Sequence, residues 1–161
     1  MNYYDETAAG YPELHREEQI KKIKIIKQNI GIKPGEIILD LGAGTGFLNE
    51  FFPDNEIYSV DPSEKLLEQN KNQIKFKTPA EKLPFPDNTF DWVISVTAIH
   101  HFDLDKAIQK IKRVGKNNFV ITVLKKAKNK DQIINKLKQE FKVKEQIEED
   151  KDIIFILENY K

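Results

Sequence analysis

Residues 38–47 read ILDLGAGTGF, an apolar run and an acid followed by glycines at 42, 44 and 46. The stretch EIILDL (36–41) is too short for a helix and rich in isoleucine, so it reads as a strand. FLNEFF (47–52) allows only a brief helix before Pro53 stops it. The glycines thus sit between a strand ending at Leu41 and a helix starting near Gly46. This is the carboxyl end of a strand, where open α/β sheets bind their ligands. Glycine there permits positive φ and close approach of a ligand to the main chain, and a helix start offers free amides to an anion.

Outward from this point the chain alternates. Upstream, PELHREEQIKKIKIIKQNIG (12–31) spaces Ile20, Ile23, Ile26 and Ile30 three to four apart, which predicts a helix ended by Gly31. Downstream, EIYSV (56–60) reads as a second strand, and Ser63 caps a helix with Leu66 and Leu67 facing inward. IKFKT (74–78) is a weak third strand and FDWVISVT (90–97) a fourth. DLDKAIQKIKRVG (103–115) follows as a helix with Ile108 and Ile111 on one face, then NFVITVL (118–124) as a fifth strand and DQIINKLKQEF (131–141) as the next helix. Strands separated by helices imply a parallel sheet covered on both faces. The last two strands, FKVKEQI and DIIFILEN, are joined through EEDKD, long enough for a hairpin and too short for a parallel crossover. One strand at that edge therefore runs antiparallel.

Composition narrows the class. With 161 residues, 39% of them hydrophobic, the chain supports one core, so we expect a single domain over 1–161. A formal net charge of zero gives no overall attraction to nucleic acid or an anionic membrane. The absence of cysteine excludes disulfides, thiolate metal sites and cysteine nucleophiles. The start MNYYDETAAG lacks a signal-peptide pattern, and no apolar run reaches the roughly 18 residues of a membrane span. A soluble cytoplasmic protein is expected, with no membrane partner.

Three residues sharpen the ligand. The dinucleotide fingerprint would need its third glycine at Phe47, which argues against NAD. Asp61, at the end of the second strand, suits a ribose diol, and Asp40, ahead of the glycines, would repel a pyrophosphate and suit a cation. The residues alone leave open that Asp61 caps the helix at Ser63 and that Asp40 is tied to loop amides.

ILDLGAGTG, VDPSEKLLEQ, AEKLPFPDNTFDWVIS and TAIHHF, in that order over about residues 36–124, resemble the successive motifs of the class I S-adenosylmethionine-dependent methyltransferases, in particular the small type 11 group. The resemblance implies a single-domain α/β fold, a Rossmann-like seven-stranded sheet of order 3-2-1-4-5-7-6 with strand 7 antiparallel and helices on both faces. It implies S-adenosyl-L-methionine as cofactor. Asp40 would orient the cofactor's amino end, Gly42, Ala43, Gly44 and Gly46 would pass close to its methionine moiety and ribose, and Asp61, followed by Pro62, would hold the ribose. Ala80 and Glu81 would border the adenine, and Val96 or Thr97 would offer a main-chain carbonyl to the ammonium. Pro79 stands where the family usually has an aspartate, so Glu81 or the Ala80 amide must take over the adenine amino group.

Residues 36–124 are then the cofactor core and 131–161 the last helix and closing hairpin. Residues 1–30, with Tyr3, Tyr4, Tyr11 and His15, form a leader and helix for which the resemblance implies a lid over the cofactor, and which the residues alone read equally as a frayed terminus. His100 and His101 follow the fourth strand as candidate bases, one of them facing the acceptor if the stretch is extended. Lys125, Lys126, Lys128 and Lys130 emerge on the same sheet edge and read as a solvated loop more readily than as a phosphate dock. The lack of cysteine closes the covalent route to pyrimidine carbon 5, and SVTAIHHF lacks the aromatic signature used on exocyclic base amines. We therefore expect direct methyl transfer to an unidentified acceptor, a small molecule ahead of RNA or protein, with a partner subunit as an aid to recognition. The alternatives are a catalytically silent nucleoside-binding regulatory subunit and an NAD-type oxidoreductase.

Overall fold

The computed structural model describes residues 13–160. Helix α1 (Glu13–Asn29) precedes strand β1 (Ile37–Leu41); β2 (Glu56–Asp61), α2 (Glu64–Gln69) and β3 (Lys75–Lys77) follow. Then come β4 (Phe90–Ser95), α3 (Leu104–Val114), β5 (Gly115–Leu124), α4 (Lys130–Glu140), β6 (Lys142–Glu148) and β7 (Asp152–Glu158). The seven strands form one sheet in the order β3-β2-β1-β4-β5-β7-β6. β1 to β5 pair in parallel, and β7 runs antiparallel to both β5 and β6. This is the order that the motif resemblance implied, and β7 is the reversed strand that the short EEDKD link required.

Alternation along the strands divides the core between two faces. Leu39, Leu41, Val93, Phe119, Ile121 and Phe155 pack with Ile108, Ile111, Ile133 and Leu137 under α3 and α4. Ile38, Ile57, Trp92, Ile94, Val120 and Ile154 pack on the other face with Ile23 and Ile26 of α1. On this second face the pattern changes toward the carboxyl ends of the parallel strands. Two residues beyond Ile38, Ile57 and Val120 stand Asp40, Ser59 and Thr122, and two residues before Ile154, at the same sheet edge, stands Asp152. All four are buried. A face that is apolar at one end and polar at the other places a site under the first turns of α1.

Two sequence expectations change. The predicted helix at Gly46 is a single 3-10 turn, Leu48–Glu50, because Phe51 and Pro53 leave no room for another turn. Ile20 is only half-buried; the helical face against the sheet carries Gln19 and Lys22 beside Ile23 and Ile26.

Candidate functional site

The glycine loop closes on itself. Gly42 N–H and Ala43 N–H donate to Val60 O at 2.8 and 2.9 Å, and Gly46 N–H donates to Ala43 O at 3.0 Å. Gly44 N–H donates to Asp61 Oδ2 at 2.9 Å. The amides of Gly42, Ala43, Gly44 and Gly46 are thus engaged within the protein. Gly42 has φ +76°, and a Cβ there would lie 2.5 Å from the Ala98 Cβ. Gly46 has φ +80° and is backed by the Asn70 amide, which also donates to Gly44 O at 3.2 Å. The glycines let the loop reach the turn after β4 on one side and the end of α2 on the other.

Asp61 is fully buried. Its Oδ1 accepts from Ser63 N–H at 2.8 Å, while Ser63 Oγ caps α2 by accepting from Leu66 N–H. The acid thus holds the loop and the helix start together. Asp40 is 4% exposed, and no hydrogen bond from the described residues reaches its carboxyl. Burial, reinforced by the neighbouring Asp61, pushes its pKa up to about 8. A negative ligand is unfavourable here, whereas a cation would favour the ionised form of Asp40 beside Asp61.

The turn after β4 forms the opposite wall. Thr97 has φ +53°, and Ala98 and Ile99 are buried. His100 and His101 lie in a 3-10 turn, Ile99–His101, with ring centroids 3.9 Å apart. The expectation that they point opposite ways rested on an extended chain; the 3-10 turn brings the two rings together instead, tilted by 44°. Burial chiefly, with the adjacent His101 and with Lys22 opposed by Asp152, pushes His100 down to about 4. Its Nδ1 is buried without a hydrogen-bond partner among the described residues, as is Ser95 Oγ. Burial also lowers His101.

Ala80 is buried in a 3-10 turn, Ala80–Lys82, that starts at Pro79, and Glu81 accepts from Asp103 N–H at 2.6 Å. Pro62 lies between Asp61 and the Ser63 cap. Of the leader residues, Tyr3, Tyr4 and Tyr11 lie outside the described residues; His15, on α1, packs its ring 6.2 Å from that of Phe47. In the basic loop, Lys125 pairs with Glu148 at 3.0 Å. An open groove of about 670 Å³ is bordered by Thr45 and Gly46 of the glycine loop together with Arg16, Phe47, Gln69 and Lys71 among others, and neither Asp40 nor the histidines border it.

Lys22, Thr122, Asp152 and Asn70 carried no motif signal in the sequence. Lys22 sits among the other lysines and glutamates of a helix that reads as surface, and only its position opposite Asp152 shows its role.

The Methyltransferase domain family matches residues 39–123, from inside β1 to the end of β5, and so takes in the glycine loop, Asp61 and the turn after β4. The chain belongs to this family, the type 11 methyltransferases. A ubiquinone/menaquinone biosynthesis C-methyltransferase of Burkholderia mallei is 34% identical over 111 residues, 60% of this chain and 46% of that protein. An uncharacterised protein of Methanocaldococcus jannaschii is 33% identical over 149 residues, 87% of this chain and 57% of its own length. The chain thus spans about half the length of the curated relatives it matches. In fold, a SAM-dependent methyltransferase from Thermotoga maritima superposes with a TM-score of 0.75 over 98% of both chains at 18% identity. Type 11 membership and the antiparallel β7 set aside the dinucleotide oxidoreductase.

Proposed function

We propose that the chain is an S-adenosyl-L-methionine-dependent methyltransferase acting on a small-molecule acceptor by direct displacement. One observation carries the reading: Asp40, buried and without a hydrogen-bond partner among the described residues, lies beside a second buried acid at the glycine loop of a methyltransferase domain. The residues present fit this cofactor. Asp40 would balance its positive end, the Asp61 carboxylate would take ribose hydroxyls, and Gly42, Ala43, Gly44 and Gly46 would allow close approach. Pro62, Ala80 and Glu81 would border the base, with Glu81 or the Ala80 amide serving where Pro79 offers no polar group. Val96 or Thr97 would present a carbonyl to the ammonium.

When bound, S-adenosylmethionine supplies a methyl group already electrophilic on its sulfonium. The chain's own task is to hold the nucleophile in line and exclude water, which supplies about 7–11 kcal/mol of barrier lowering. His100, neutral at physiological pH, would receive a proton from the acceptor as methylation acidifies it, and His101 would shape the wall. Recognition of the acceptor falls to residues 1–30, the loops after β4 and β5, or a partner subunit. Residues 36–124 serve as the cofactor core and 131–161 complete the sheet of one methyltransferase unit.

Thermal shifts with S-adenosylhomocysteine and with NADH test the cofactor. The true ligand at a hundredfold excess over Kd adds about 2.7 kcal/mol of stability; a response to NADH alone would refute the reading. Incubation with labelled methyl donor and fractionated extract identifies the acceptor class. Label in a small-molecule fraction is the expected result, and label confined to RNA or protein would overturn the small-molecule assignment.

A further inference from the structure

The turn after β4 carries an unusual residue. Thr97 and Asn88 are the non-glycine positions with positive φ among the described residues, at +53° and +54°. Asparagine tolerates that region, whereas a β-branched threonine avoids it and holds it only when its surroundings insist. Those surroundings come from three distant elements. Thr97 N–H donates to Thr122 Oγ1 of β5 at 2.7 Å. Thr97 Oγ1 donates to Asp152 Oδ2 of β7 at 2.6 Å and accepts from Lys22 Nζ of α1 at 3.0 Å. Thr122 Oγ1 in turn donates to Asp152 Oδ2 at 2.6 Å. Lys22 Nζ lies 3.1 Å from Asp152 Oδ1, a charge contact outside hydrogen-bond geometry. Lys22 is 2% exposed, and Thr122 and Asp152 are fully buried.

This cluster sits where it can control the cleft. Asp40 is in register with Ile94 of β4, so Thr97 and Ala98 follow just beyond the acid. Ala98 is the residue that a Cβ at Gly42 would strike. The conformation of Thr97 therefore sets how the turn abuts the glycine loop. A buried ion pair is a poor stabiliser, since apolar residues of similar volume often serve folding as well or better. It is effective at fixing one geometry, and a binding constellation needs its supporting shell locked.

We propose that Lys22, Thr122 and Asp152 form a clamp that holds Thr97 in its left-handed conformation and thereby presets the wall formed by residues 96–98 against the glycine loop, for binding of the cofactor. The three are positioning residues. The inference rests on the cofactor reading above for its ligand, but the clamp itself is a statement about the free protein.

The test compares the parent with Lys22→Met/Asp152→Leu, which removes both charges together, by NMR and by titration with S-adenosylhomocysteine. The NMR probes are the Gly42 amide and the Ala98 methyl. In the folded double variant we expect both signals displaced and the affinity at least tenfold weaker. Thr122→Val should act the same way and Thr122→Ser should restore parental signals and affinity, a rescue that general packing would not require. A folded variant whose two signals stay in place, or whose affinity equals that of a binding parent, overturns the clamp. If the double variant does not fold, Thr122→Val decides on the same outcomes. If the parent binds no S-adenosylhomocysteine yet the two signals move in the variants, the cofactor reading fails and the clamp stands; if they do not move, both fail.

Discussion

Asp40 and Asp152 are buried on the same face of the sheet under α1, in opposite surroundings. Asp152 meets a lysine at 3.1 Å and two threonine hydroxyls at 2.6 Å. Asp40 meets another acid, and no hydrogen bond from the described residues reaches it. A compensated charge holds protein to protein. A buried acid without such a partner holds its proton instead, costs stability when it ionises, and is kept where a ligand supplies the missing charge.

Breaking the compensated side has the largest effect. Asp152→Ala leaves Lys22 buried and unpaired, so denaturant unfolding should show a loss of about 3–5 kcal/mol. A loss below about 1 kcal/mol would mean that water reaches Lys22 and that the contrast with Asp40 is overstated.

Asp61 stands between the two cases, because it both holds the loop and faces Asp40. Asp61→Ala strips the acceptor from Gly44 N–H and Ser63 N–H, at about 1–3 kcal/mol for each orphaned donor. S-adenosylhomocysteine affinity, read by calorimetry, should fall about ten to a hundred times. Lost affinity with unchanged stability would assign the acid to the ligand alone.

Asp40 should respond in the opposite direction. Its folded pKa of about 8 lies above the ordinary aspartate value of 3.8, so the folded state holds the proton more tightly and this group's contribution to stability falls as pH rises from about 4 to about 8. Asp40→Asn should therefore raise the melting temperature at pH 8 while weakening S-adenosylmethionine binding. For the parent, affinity for that cation should rise by up to about tenfold per pH unit up to pH 8, then level off, and Asp40→Asn should flatten the profile. A parental profile already flat between pH 6 and 8 would show that Asp40 is ionised without the ligand.

The smallest effect is expected at the surface. Lys77 and Glu64 are 3.5 Å apart and both exposed. Glu64→Gln should change stability by less than about 0.5 kcal/mol, and less still in high salt. A larger change would show that ion pairs in this protein are not graded by burial.

Much of the site was legible along the chain because its logic is local. Gly42 must have positive φ and no side chain, Ser63 must cap the helix that begins at Glu64, and EEDKD cannot span a parallel crossover. The fate of the loop amides was not legible, since their acceptors are Val60 O and the Asp61 carboxylate, a strand away. Nor was the pairing of His100 with His101, because a 3-10 turn and an extended segment make equal use of Ile-His-His.

The order of glycines, acids and apolar runs determined the family, the strand sequence and the reversal of β7, since turn chemistry and alternation act over a few residues. Only the tertiary structure decided that a lysine in a lysine-rich helix is buried against Asp152 and that Thr97 is bent out of its preferred backbone region. Charge compensation and strain depend on which groups the folded chain brings within about 3 Å, and no short-range pattern encodes that distance.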